Sequence, residues 1–443
     1  MTVTAGSDAK NGTSVQLYTD ICDKWTYQNR STTITQLLSG PTAFFKLDAD
    51  NAATFVESSA EQAPWADVIY ATQPSNASSI PTSSGPRNGV RGSFYSNGTL
   101  SGLKHECEPR CVAAFAYDLG HLTGENATLQ VAVGVVRNDT VNYLGTSQTH
   151  YYRAKRPDTA DAIRYFFDDY PAAPAESQSL DANISTIATS VAGQNYSDIL
   201  TLSVRQILGA MNLTVPSNST DNDDPSAFLK EISSNGNMQT INVIFPMLPY
   251  LYALAAKYTK ILLEPVLSYV ASGRWPLPFF IHGMGTYYSS TILIEGIGVF
   301  TSKVTGDPYF DVMYGNATWY MLFNIFPDVL LNLRVFNNST YEAQSEFHPT
   351  VRAEAGVPID GAVRWDRTDW QMWSAASNTS QATSNMFVND LHALISNGKN
   401  KMPFTDRYWA SEPDVGKGVF RARPTVAAHF ALWAMAKTRG EIE

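Results

Sequence analysis

The sequence predicts an α+β multidomain protein: an antiparallel β-sandwich over residues 1–156, followed by antiparallel helical hairpins over residues 157–443. Three observations carry that prediction. In the first third of the chain apolar residues alternate with polar ones, whereas later they recur three and four positions apart. The length, 443 residues, is ample for two domains of ordinary size. The composition, 44% hydrophobic against 16% charged, supplies apolar surface for both cores and excludes general disorder.

Val15, Leu17, Thr19 and Ile21 alternate with Gln16, Tyr18 and Asp20, which gives the first strand one buried face. Shorter strands follow at 44–47, 67–71 and 112–117. A longer one follows from Leu129, Val131, Val133 and Val135. Between them lie Gly, Pro, Ser and Asn clusters such as 81–89, read as turns, and this spacing points to a sandwich. The period then changes. Ile163, Phe166, Phe167 and Tyr170 form a helical stripe, repeated by Leu200, Val204, Ile207, Leu208 and Met211. Further helices are expected at 248–257, 258–272, 319–336, 369–376, 383–396 and 424–437, the last opened by Pro424 in its first turn. The loop 216–225, with Asp221, Asp223 and Asp224, reads as a solvated acidic loop, with a calcium site as the sharper alternative.

Formal charge is −10, from 31 basic and 41 acidic residues, and no dense Lys/Arg block occurs. Nucleic acid is therefore excluded as an expected partner, because neutralising phosphates needs clustered cations. No membrane partner is expected either. The longest uncharged stretch, 275–294, holds Pro276, Pro278, His282, Gly283 and Gly285 and suits a buried turn better than a spanning helix.

Asn-x-Ser/Thr acceptors begin at Asn11, Asn29, Asn76, Asn97, Asn126, Asn138, Asn183, Asn195, Asn212, Asn218, Asn316, Asn337, Asn338 and Asn378. From 27 Asn and 78 Ser plus Thr, chance gives roughly five such sites. The excess predicts a glycosylated, secreted protein. Met1 opens without a basic and apolar leader, so a signal segment is expected upstream of the chain as written. Cys107 and Cys111 are spaced for a small disulfide loop in an oxidising compartment, with buried thiols as the alternative. Cys22 is left over. His105 and Glu106 are too few further ligands for zinc, and neither a metal nor a cofactor is expected.

Gly-x-Ser-x-Gly, His-Glu-x-x-His, the Walker loop and Gly-x-Gly-x-x-Gly after a strand are all absent. Ser-x-x-Lys occurs at Ser7 and Ser101, in strand-and-turn sequence where it carries no chemistry. The carboxyl-terminal half is richer. Glu264 before Pro265, His282 in a Gly-rich turn, Asp366 and Asp369 beside Trp365 and Trp370, Asp406 with Tyr408, and Arg421, Arg423 and His429 all flank expected helices. Carboxylates beside Trp at helix ends suit a sugar or amino-acid pocket, where rings give contact area and acids give proton transfer or an ammonium anchor. Each also has a plain structural reading. Glu264 would complement a neighbouring helix, His429 would be a core histidine, and Asp369 would be the first-turn acid of its helix.

The runs 262–265, 276–285, 356–360, 368–373 (Thr-Asp-Trp-Gln-Met-Trp), 403–406 and 422–430, with 14–20 and 115–120 in the β part, resemble the fungal glutaminase A family in order along most of the chain. The resemblance implies a secreted hydrolase: a β-sandwich followed by an (α/α)6 six-hairpin toroid, converting the side-chain amide of glutamine to glutamate and ammonia. It also implies an incomplete toroid. Where the family continues from the turn near Tyr288 into an acid-bearing helix and further hairpins, this chain passes almost directly from 289–305 to 307–319. Amide hydrolysis needs a base, an oxyanion donor and a proton for ammonia. The residues expected to serve are Asp369 and Asp406 as base or ammonium anchor, Arg423 for a carboxylate and His282 or His429 for proton transfer. Trp370 and Glu264 are expected at the substrate. The alternatives are a carbohydrate-active or carbohydrate-binding protein, for which the partner is a glycan, and an inactive relative.

Overall fold

The computed structural model describes residues 2–5, 13–26, 31–58, 63–74, 80–102, 110–122, 127–218, 224–232, 235–284, 303–304, 310–311, 319–412 and 414–442. They form two compact units, residues 1–173 with 214–224, and residues 174–213 with 225–443.

In the first unit, β1 (Thr2–Ala5), β3 (Thr32–Ser39), β4 (Thr42–Ala49), β5 (Asp67–Thr72) and β8 (Ala127–Val136) make a five-stranded antiparallel sheet ordered β1-β8-β5-β4-β3. The second sheet is β2 (Thr13–Cys22), β7 (Cys111–Leu122) and β6 (Thr82–Pro86). Phe45, Leu47, Val68, Tyr70 and Val131 of one sheet meet Ile21, Ala113, Phe115 and Tyr117 of the other in a single core, which makes the pair a sandwich. The Phe115 ring lies 4.9 Å from Tyr70 and 5.1 Å from Phe45. Helix α1 (Arg87–Asn97) covers the outer face of the small sheet through Val90, against Val112, Ala114 and Ala116.

The sequence boundary at 156/157 followed the change of period. The compact unit runs on to residue 173 because α3 (Thr159–Asp169), which follows the short α2 (Tyr151–Lys155), lays Ile163 and Phe167 on Phe44, Ile69 and Ala71 of the large sheet. Asp158 caps α3 by accepting from Asp161 N at 2.8 Å. β9 (Val141–Tyr143) and β10 (Thr146–His150) form a hairpin, and β10 pairs with β11 (Met211–Pro216) at residues 214–216. The turn expected at 81–89 is instead strand β6 running into α1. The register of β6 against β7 buries Thr82, Ser83 and Ser84, small polar residues that read as loop in isolation. Cys111 is disulfide-bonded and Cys22 is a free thiol, while Cys107 lies outside the described residues. So do Asp221 and Asp223 of the acidic loop.

The second unit is mainly helical. Its entry, α4 (Ala173–Gly209), is two helices joined at a break where Ala192 and Gly193 leave helical geometry, Gly193 at φ +82°. The second arm buries Tyr196, Ile199, Leu200 and Ile207. β12 (Ser226–Leu229), α5 (Ile241–Ile244), α6 (Leu248–Leu254) and α7 (Lys257–Ala271) follow. After the two-residue strands β13 (Lys303–Val304), β14 (Phe310–Asp311) and β15 (Trp319–Tyr320) come α8 (Phe326–Leu331), α9 (Asn338–Phe347), α10 (Thr368–Ser377) and α11 (Gln381–Ser396). The expected helix at 319–336 is shorter than its apolar run. Trp319 and Tyr320 pair with β14, Pro327 sits in the first turn of α8, and Asn332 ends it in the left-handed region. Asp328 then holds the next turn, accepting from Val335 N at 2.9 Å, Phe336 N at 3.2 Å and the Tyr341 hydroxyl.

α10 is buried at every residue except Trp370, and the 424–430 turn that leads into α12 (Ala431–Thr438) is buried throughout. A helix buried all round is an inner helix, with its neighbours as an outer layer. Met372, Ala375, Phe387, Leu391, Val426, Phe430 and Trp433 share its core.

Candidate active site

The strands β16 (Trp365–Arg367) and β17 (Arg407–Trp409) form an antiparallel ribbon at the amino-terminal end of α10, with Arg367 opposite Arg407 and Asp366 opposite Tyr408. Side chains alternate along a strand, so Trp365, Arg367, Arg407 and Trp409 share one face, and Asp366 and Tyr408 the other. The ribbon is locked by backbone. Thr368 N donates to Asp406 O at 2.6 Å, and Gln206 of α4 donates through Nε2 to Phe404 O at 3.0 Å and Arg423 O at 2.9 Å. Two glycines allow close approach. A Cβ on Gly418 would lie 2.6 Å from Thr405, and one on Gly356, at φ +117°, would lie 2.7 Å from the Tyr408 hydroxyl.

These constraints gather five buried charged side chains. Arg367 grips Asp369 in bidentate fashion, Nε to Oδ1 at 2.9 Å and Nη2 to Oδ2 at 2.5 Å, and stands 3.5 Å from Asp406 Oδ2. Asp406 Oδ2 also accepts from Arg423 Nη1 at 2.6 Å and from Thr425 Oγ1 at 3.1 Å, while Arg423 Nη2 donates to Glu231 Oε1. Asp369 and Asp406 have no exposed surface, and Arg423 keeps 3%. Three carboxylates face two guanidiniums, which leaves one negative charge in the interior. Asp406 Oδ1 and Arg423 Nε have no hydrogen-bond partner among the described residues.

Burial raises the Asp369 carboxyl above its ordinary range, with Arg367 opposing that shift. Burial works against the charge of Arg367, yet Asp369 and Asp406 outweigh it and raise this group. On the ribbon's other face Asp366 is raised well above the carboxylate range by burial. Its Oδ2 accepts from Gln371 Nε2, and its Oδ1 has no partner among the described residues.

Of the residues expected from sequence, the structure brings Asp369, Asp406 and Arg423 together and sets Trp370 at their edge. Trp370 stacks on Phe323 with centroids 4.2 Å apart and carries the Arg367 guanidinium 4.5 Å from its ring. Glu264 is exposed on α7, where its Oε1 accepts from Ser268 at 2.8 Å, and nothing links it to the cluster. No hydrogen bond or ion pair ties the His282 side chain to the cluster either. The carbonyl of His282 accepts from Ile241 N at 2.7 Å, a contact that anchors the turn. His429 is a core histidine: fully buried, with Nδ1 2.8 Å from Ser203 Oγ and the ring against Phe404. Sequence reasoning passed over Arg367, Arg407, Gln371 and Glu231. The Arg-x-Asp spacing of 367–369 was the one local signal for Arg367.

Burial lowers the His429 pKa from 6.5 to about 3. The folded state therefore keeps His429 neutral while the unfolded chain takes up a proton below pH 6.5. Its contribution to stability is complete above that pH and is lost as pH falls toward 3. His429→Gln is expected to flatten the stability–pH curve by up to about 1.4 kcal/mol per pH unit in that window, read by urea unfolding from pH 6.5 down to 4. An unchanged slope would place the imidazole in contact with water.

A cleft of about 610 Å³ runs along Phe404, Thr405, Ala422 and Ile232, the chain neighbours of Asp406, Arg423 and Glu231. Its walls are largely apolar, from Leu202, Leu394, Ile395 and Met402, with Gln206, Asn400 and Thr405 as polar lining and Arg205 as the one charge among the described residues. It suits a hydrophobic group better than a zwitterion. Of the groups around the cluster, Trp365, Trp370, Arg407 and Phe420 keep partial exposure.

A family profile described as the glutaminase A six helical-hairpin domain matches residues 193–292 and 297–433, and a domain of unknown function (DUF5127) matches residues 1–187. The chain belongs to the glutaminase A six-hairpin family. The two profiles meet at the break in α4, next to Gly193. The cluster lies wholly inside the six-hairpin domain. Glutaminase A of Aspergillus oryzae is 26% identical over 544 aligned positions, covering 94% of this chain and 77% of the relative. A protein of Arthroderma benhamiae, named as a probable glutaminase, is 33% identical over 132 residues, 30% of this chain and 15% of that protein. The 544 positions exceed the 443 residues of the chain, so the Aspergillus protein carries stretches within the aligned span that this chain lacks. The fold is thus an antiparallel β-sandwich followed by a six-hairpin helical domain.

Proposed function

We propose that the chain hydrolyses the side-chain amide of L-glutamine to L-glutamate and ammonia. The observation that carries this reading is the buried cluster of Glu231, Arg367, Asp369, Asp406 and Arg423, whose single excess negative charge suits an α-ammonium group, on a six-hairpin domain of the glutaminase A family. Asp369, raised by burial and so a stronger base than a solvated carboxylate, takes a proton from water as the oxygen bonds to the amide carbon. Arg367 supplies positive charge to the oxyanion. The carbon–nitrogen bond then breaks, and Asp369 returns its proton to nitrogen, which leaves as ammonia. Asp406 holds the ammonium of the substrate.

The glycan alternative draws on the tryptophans, but Trp370 is stacked on Phe323 and has the Arg367 guanidinium 4.5 Å from its ring centroid, which reduces the ring surface open to a sugar. Export and N-glycosylation remain part of the proposal. Asn97, Asn138, Asn183, Asn218, Asn337 and Asn338 are exposed, and Asn195, Asn212 and Asn378 are half-buried. Asn11, Asn29, Asn76, Asn126 and Asn316 lie outside the described residues.

The test is a substrate panel with the protein purified from the culture medium of a secreting host. Ammonia release from glutamine, exceeding that from asparagine, with no reducing sugar from polysaccharides, is the expected result. Sugar release without ammonia would favour the glycan reading, and no turnover of any kind would make the chain an inactive relative. An N-glycosidase that leaves the mass unchanged would count against glycosylation.

A further inference from the structure

Arg367 and Arg423 are both paired with carboxylates, but Arg407 is not. Its guanidinium lies 4.3 Å from the centroid of Trp365 and 5.6 Å from that of Phe420, so aromatic rings flank it. No carboxylate pairs with it among the described residues, and its buried Nε has no hydrogen-bond partner. A half-buried cation held by ring faces alone has given up water without gaining a counter-charge. The ribbon register sets it opposite Arg367 on the same face, and Phe420 is shared with Arg423, whose guanidinium lies 5.4 Å from that ring. One residue earlier in the chain, Asp406 Oδ1 is buried and unpartnered. An unused cation and an unused carboxylate oxygen therefore belong to consecutive residues at the start of β17.

We propose that Arg407 is the specificity residue of the site, binding the α-carboxylate of an amino-acid substrate while Asp406 Oδ1 receives its α-ammonium. This rests on the amidohydrolase reading above and adds the group that selects a free amino acid over a simple amide. Arg423 is a poorer partner for that carboxylate, because Asp406 and Glu231 already occupy both of its Nη atoms. Lys keeps the charge but not the planar stacking of a guanidinium between rings, so it replaces Arg407 only in part.

The experiment compares L-glutamine with 4-aminobutanamide, which is glutamine without its carboxylate, in calorimetric binding and in turnover. The wild-type chain is expected to bind glutamine about 10- to 100-fold more tightly, the range for one hydrogen-bonded charge. In Arg407→Met the ratio collapses toward one, with the loss in KM rather than kcat, and Arg407→Lys restores part of it. A wild-type chain that binds both equally, or a folded Arg407→Met variant that keeps the preference, would overturn the proposal. If Arg407→Met does not fold, the wild-type ratio and the Arg407→Lys ratio still decide. A wild type that discriminates between the two yet releases no ammonia would remove the catalytic reading and leave the Arg407 assignment standing.

Discussion

Asp369→Asn is expected to lower ammonia release from glutamine by about 10²- to 10⁴-fold, the range for loss of a positioned general base. Asn keeps the shape of the side chain and one oxygen for Arg367, and it removes the charge that accepts the proton. The cluster passes from one net negative charge to neutral, so the fold is expected to survive. Because burial raises the Asp369 carboxyl, the wild-type rate should fall on acidification at a pH above the ordinary carboxylate range. Protonated Asp369 is no longer a base. In the variant that acid limb should vanish from the residual rate, and a limb that persists unchanged would assign the base to another group.

Arg423→Met is expected to destabilise the second unit by about 3–5 kcal/mol, measured by urea unfolding, because it strands Asp406 and Glu231 in the core. The attraction within such a cluster roughly offsets the cost of dehydrating it, so the penalty comes from the orphaned partners rather than from the lost pairs. Adding Glu231→Gln to Arg423→Met should recover part of the loss, since one stranded charge is gone. If Arg423→Met changes stability by less than about 1 kcal/mol, water reaches the cluster and its ion pairs are of the weak surface kind.

Much of the fold was legible where one physical signal dominated. The strict alternation of β2 and β8 and the apolar runs of β4, β5 and β7 marked those strands because each buries one or both faces in the sandwich. β3 escaped notice because Thr32, Thr33 and Thr35 dilute the pattern of an edge strand whose outer residues face solvent. β6 escaped because Ser-Ser-Gly-Pro is turn chemistry until β7 lies beside it. The 319–336 run misled because hydrophobic period does not register a proline and a strand partner at once.

At the site, Asp369 and Arg423 were readable as charged residues beside Trp370 and Pro424 at helix starts, and Asp406 as an acid two positions before Tyr408. Glu231 was not, because it meets Arg423 across 192 positions of chain, and such a pairing exists only in three dimensions. Arg407 was hidden for a related reason: it has no carboxylate partner among the described residues, which the sequence does not record.

The most direct test of the central claim is a proton NMR time course of L-glutamine with the purified full chain, run beside Asp369→Asn at equal concentration and with matched thermal melts. Glutamate and ammonium appearing in equal amounts with the wild type, and slowed at least a hundredfold in the variant, is the predicted result. Equal rates in the two, or glutamine unchanged by a folded wild type, would contradict the assignment of this cluster as a glutaminase active site.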